Sequence, residues 1–138
     1  MSSSLILGNN MVIIGTKLTV VDNSGGKLAK CIVIKSKQKN ATIGNLILVT
    51  LKIFFNKKKL EKRIIYLGLI IGVKYWIYRK DGLNIKFFLN SVLIFNKQFK
   101  FLGSRIYGIL LKEVKMKNVK SKLHRTYFHK VIMFNSFL

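Results

Sequence analysis

Proline is absent from this chain, acidic residues number four, and cysteine occurs once. Each shortage excludes a class of function. A single Cys31 rules out an internal disulfide. The two histidines, His124 and His129, are five apart and so do not share a helix face as an i,i+4 pair would, which leaves no set of residues for a metal centre. The acids Asp22, Glu61, Asp81 and Glu113 are scattered and give no general acid–base pair. Asp22 and Asp81 both sit in turn sequences, where a carboxylate caps backbone N–H groups. Gly25-Gly26-Lys27 lacks the spacing of a nucleotide-binding loop. Neither catalysis nor a cofactor is therefore expected. Long apolar stretches are also missing. The longest uncharged runs, Ser2 to Thr16, Asn40 to Leu51 and Ile64 to Val73, fall short of the ~20 residues a membrane-spanning helix needs.

What the chain has is positive charge. Its 138 residues include 26 Lys and Arg, for a formal net charge of +22, while half of the residues are hydrophobic. That length suits one domain, and the apolar half is ample for a core. Self-repulsion of this size opposes compaction unless a dense counter-charge is near, so the expected partner is a polyanion. Lys, Ile, Asn, Phe, Tyr and Met make up about half the chain, Ala occurs only at positions 29 and 41, and Lys outnumbers Arg several-fold. AT-rich codons specify these residues, as in a small organellar genome. The first ten residues contain neither Lys nor Arg, unlike an Arg- and Ser-rich import signal, so synthesis inside the organelle is the expectation.

Short strand-like runs dominate the chain: Leu18 to Val21, Lys30 to Lys35, Leu46 to Phe55, Ile64 to Val73, Tyr75 to Tyr78, Ile85 to Phe88 and Ser91 to Phe95. Turn signals separate them, above all Asp22-Asn23-Ser24-Gly25-Gly26 and Asp81-Gly82. This spacing predicts a small, mainly β barrel, which also removes exposed strand edges. From Leu111 to Lys130 there is no glycine, and Met116, Val119, Leu123 and Tyr127 recur at helical spacing. These four predict one apolar stripe on a cationic helix, packed on the barrel or docked to a neighbouring protein.

The cations fall between the strands. Lys35, Lys37 and Lys39 lie on one predicted loop, and Lys57, Lys58, Lys59, Lys62 and Arg63 on another. Lys74, Arg79 and Lys80 surround a turn, and Lys97 and Lys100 flank a further one. Several such loops converging on one side would form a multi-point phosphate clamp, with a salt slope of about −0.7 to −0.9 per contact. Asn23, Ser24, Lys27, Lys30 and Lys52 complete the candidate RNA contacts. Aromatics beside the loops, including Phe54, Phe55, Tyr75, Phe99 and Phe101, are expected mostly in the barrel. Trp76 and Tyr78, between Lys74 and Arg79, are the candidates for stacking on unpaired bases.

Four segments, in order, resemble the universal L-fourteen family of large-subunit ribosomal proteins. Thr16-Lys17-Leu18-Thr19-Val20-Val21-Asp22-Asn23-Ser24-Gly25-Gly26-Lys27 resembles the family's opening strand and turn, and Cys31-Ile32 and Ile43-Gly44 follow in place. Gly68-Leu69-Ile70-Ile71, then Asp81-Gly82, Phe87, Asn90 and Leu93, is similar to the central signature. Gly103-Ser104-Arg105-Ile106-Tyr107-Gly108 with Lys112-Glu113 is similar to the closing one. The resemblance covers roughly Met11 to Val114. It implies a closed five-stranded barrel with a β-ribbon and short C-terminal helices, residues 1–10 being an extension and 115–138 a divergent basic tail. Departures are Asn45 where the family has Asp, and missing prolines near Asn56, Lys80 and Ile109.

Together with the AT-type composition, the resemblance implies a structural constituent of an organellar, mitochondrial large subunit. The implied partners are large-subunit rRNA, small-subunit rRNA through an intersubunit bridge, neighbours of the L-three and L-nineteen families, and a ribosome-silencing factor. Ser104, Arg105, Lys112 and Lys115 are the expected protein and bridge contacts, and no homo-oligomer is expected. Competing readings are a free regulatory RNA- or DNA-binding barrel and a basic protein held on an anionic membrane through Met1 to Gly15. A plastid is the alternative compartment.

Overall fold

The computed structural model describes residues 4–6, 12–35, 40–54, 61, 63–98, 101–103 and 106–111. Among these residues eight strands are formed: β1 (Ser4–Ile6), β2 (Lys17–Val20), β3 (Gly26–Ile34), β4 (Leu46–Phe54), β5 (Ile65–Gly72), β6 (Ile77–Arg79), β7 (Asn84–Ile85) and β8 (Ser91–Phe95). Strands β2, β3, β4, β5 and β8 close into a barrel. The first four form an antiparallel meander. β8 closes it by pairing antiparallel with β5 and parallel with β2. The expected closed five-stranded barrel is present, and the described residues contain no helix. The predicted C-terminal helix lies outside the described residues.

Side-chain alternation explains the wall. From Ile47 to Leu51 every second residue of β4 is buried, so Ile47, Val49 and Leu51 fill the interior while Leu48 and Thr50 lie outward. β5 is different: from Tyr66 to Gly72 every residue is buried, so both its faces are covered. The core is completed by Leu18, Ala29, Cys31, Leu93 and Phe95, with Leu110 and Leu111 also fully enclosed. Gly68 marks the tightest point. A Cβ there would stand 2.7 Å from Val92 Cγ2 and 3.3 Å from Ile47 Cγ1 and Val49 Cγ1. Gly68→Ala is expected to cost about 1–3 kcal/mol by overpacking. A urea titration should show a lower midpoint at an unchanged slope.

Between β5 and β8 the chain leaves the barrel as a small hairpin. β6 and β7 pair with Ile77 opposite Ile85 and Tyr78 opposite Asn84. The turn is set by Gly82, at a φ of 89° that favours glycine, and by the Asp81 carboxylate, which accepts the Leu83 N–H at 3.2 Å. Asp81 thus takes the capping role expected of it. β1 adds a third strand along the other edge of β6, with Leu5 in register with Tyr78. No strand is predicted there, because three residues carry no readable period.

Candidate nucleic-acid interface

The barrel register sorts the cations by end. Leu28 pairs with Ile53, Thr50 with Ile65, and Leu67 with Phe95. The start of β3, the end of β4, the start of β5 and the end of β8 therefore share one end of the barrel. Lys27, Lys52, Arg63 and Lys97 belong to these elements or directly adjoin them, and all four are exposed. At the opposite end lie the close of β3, the close of β5 and the hairpin. They carry Lys35, Lys74 and Lys80, all exposed, and a half-buried Arg79. The described cations thus divide between the two ends of the barrel. Antiparallel strands alternate their loops between the two ends, and linear spacing does not show which loops fall together.

Between the ends, Lys17 of β2 lies directly opposite Lys30 of β3. Opposed residues of paired strands sit about 5 Å apart, and like charges there repel. Lys17 escaped the sequence reading because it precedes its strand's apolar run; pairing alone reveals its neighbour. Lys86 and Phe88 were also missed and are both exposed. Lys37, Lys39, Lys57, Lys58, Lys59, Lys100, Ser104, Arg105, Lys112 and Lys115 lie outside the described residues.

The opening turn is built inward. Asp22 is buried, and its carboxylate accepts the Ser24 N–H at 2.9 Å, the Ser24 hydroxyl, and the Ile94 N–H of β8 at 3.0 Å. Burial pushes this carboxyl above its ordinary value of 3.8, against the opposing pull of the three hydrogen bonds. Ser24 is therefore a buried turn residue, and Asn23 is half-buried beside Gly103, where a Cβ would meet its Oδ1 at 2.8 Å. The Tyr107 N–H donates to the Val21 carbonyl at 2.7 Å, and Asp22 bridges to Ile106. The Asp22 turn thus anchors Ile106 and Tyr107 against the barrel. Of the aromatics, Tyr75 is buried, as expected for most, and Phe54 and Phe101 are half-buried, whereas Trp76 and Tyr78 are exposed. Phe55 and Phe99 lie outside the described residues.

The chain folds as a closed barrel with cations at both ends and a like-charge pair on its wall. Its ordered motifs place it among known proteins: residues 11–127 match the family described as Ribosomal protein L14p/L23e. The chain belongs to that family. It is similar to the Large ribosomal subunit protein uL14 of Carsonella ruddii (strain PV), 41% identical over 102 residues, or 72% of this chain and 84% of that protein. As an L14p/L23e protein it is a structural component of the ribosome and not an enzyme, in keeping with its scattered acids. Among the described residues no His, Cys, Asp or Glu cluster could hold a metal, and no helix is long and apolar enough to cross a membrane.

Proposed function

We propose that this protein binds large-subunit rRNA at the subunit interface of an organellar, mitochondrial ribosome and contributes to a bridge with small-subunit rRNA. The Lys17–Lys30 pair carries the reading. An isolated domain gains nothing from two lysines facing each other across a ladder, whereas a phosphate between them converts the repulsion into two attractions. The barrel would wedge between rRNA segments, held through Lys27, Lys52, Arg63 and Lys97 at one end and Lys35, Lys74 and Lys80 at the other. The compartment rests on the AT-type composition. The domain plan is an extension over residues 1–10, the barrel domain over 11–114 and a basic tail over 115–138.

Ser104, Arg105, Lys112 and Lys115 are assigned to the bridge and to protein neighbours of the L-three and L-nineteen families, with a ribosome-silencing factor docking at the same place. Support for this comes from the Asp22 turn, which anchors Ile106 and Tyr107, neighbours of these residues in the sequence, against the barrel. In a sucrose gradient of lysed organelles at high salt, the protein is expected to co-sediment with the large subunit. Recovery only in the free fractions would overturn the reading in favour of a free regulatory RNA-binding barrel.

A further inference from the structure

The hairpin presents an aromatic face that its own fold leaves open. Trp76 is the only tryptophan of the chain and is 47% exposed. Ile77 beside it is fully buried and Tyr78 is 37% exposed, so strand alternation sends both rings out of the same face. The register that sets Ile77 opposite Ile85 brings Lys86 opposite Trp76, and the Lys86 ammonium lies 5.6 Å from the Trp76 ring centroid. After Lys86, Phe87 packs against Gly72 and Phe88 is 93% exposed. β1 and β7 occupy both edges of β6, so the strand between the two rings is held on each side.

Charge decides what such a face would bind. Lys74, Lys80 and Lys86 are exposed on this segment, and its one acid, Asp81, is engaged by the Leu83 N–H at the hairpin turn. An apolar protein partner would have to desolvate those lysines without compensation. A ligand with flat π faces strung on a polyanionic backbone satisfies rings and lysines together. Duplex RNA keeps its bases stacked inside, so only unpaired bases can reach the rings.

We propose that the outer face of the β6–β7 hairpin, through Trp76 and Tyr78, is a stacking platform for unpaired RNA bases. Lys86 holds the Trp76 ring and the flanking lysines hold the phosphates. The proposal rests on the RNA-binding function proposed above and adds that this face reads loops or bulges, not helices.

The lone tryptophan is its own reporter. The full-length protein is titrated with a single-stranded adenine oligonucleotide, an abasic oligonucleotide of equal phosphate number, and an RNA duplex. Tryptophan emission and the anisotropy of labelled RNA are followed together. The adenine strand is expected to quench Trp76 and to bind about tenfold more tightly than the abasic strand. The abasic strand and the duplex should bind without quenching. Trp76→Ala, at an exposed position, should erase the tenfold preference and leave duplex affinity unchanged, while Trp76→Phe should keep most of it. Equal affinity for adenine and abasic strands, with no quenching, overturns the platform and leaves RNA binding standing. Failure of all three probes to bind overturns RNA binding as well.

Discussion

Replacing Lys27, Lys52, Arg63 and Lys97 together with glutamine is expected to weaken RNA binding on the order of a thousandfold near 0.1 M salt. The four side chains are exposed and belong to one end of the barrel. Each phosphate contact contributes about 0.7 to 0.9 to the slope of log affinity against log salt, so losing four should lower its magnitude by about three. A general loss of fold would also reduce binding, and the melting temperature separates the two cases. Removing exposed like charges from a chain of net charge +22 relieves self-repulsion. The variant should therefore melt at the same temperature as the parent or higher. An unchanged salt slope would show that this end of the barrel does not face RNA.

The second large effect is on stability. Asp22→Ala removes the acceptor of two backbone N–H groups and of the Ser24 hydroxyl, in a turn that joins β2, β3 and β8. Buried donors left without partners cost about 1–3 kcal/mol each. A loss of roughly 3 kcal/mol is expected, or about 10 °C in melting temperature for a chain of this size. Asp22→Asn should cost less, about 1–3 kcal/mol, since its amide oxygen replaces one acceptor while its NH2 faces a remaining N–H.

The pH dependence has a definite sign. Burial raises the folded carboxyl above 3.8, so the unfolded chain loses this proton first. As pH rises from about 3.8 to the raised value, the folded state holds more protons than the unfolded state, and the group's contribution to stability falls. Melting curves collected across that window should show the advantage of the parent over Asp22→Asn shrinking as pH increases. An advantage that grows instead would mean that the hydrogen bonds outweigh burial at this site.

Legibility followed the strength of the local signal. The β4 and β5 runs and the Asp81-Gly82 turn stood out because period-two or continuous apolar patterns and turn residues are short-range features. β3 begins at Gly26, four residues before the expected Lys30, because its first residues are a glycine and a lysine whose strand conformation is imposed by pairing with β4. β1 was invisible for the same reason, since pairing with β6 makes it a strand. Tyr75 and Trp76 are adjacent and similar in composition, yet one is buried and the other open. Only the hairpin's orientation on the barrel separates them.

By itself, the sequence determined that this is a basic, non-catalytic, mainly β chain with ordered L-fourteen motifs. Composition, charge and motif order are properties of the linear chain, and no fold is needed to count them. Which lysines share an end, that Lys17 faces Lys30, that Asp22 reaches across to Ile94, and that Trp76 stands beside Lys86 were decided by tertiary structure alone. Each of these is a relation between residues distant in sequence, set by strand pairing. A shift of one residue in register would part Lys17 from Lys30 and Trp76 from Lys86, whereas the shared ends follow from strand direction.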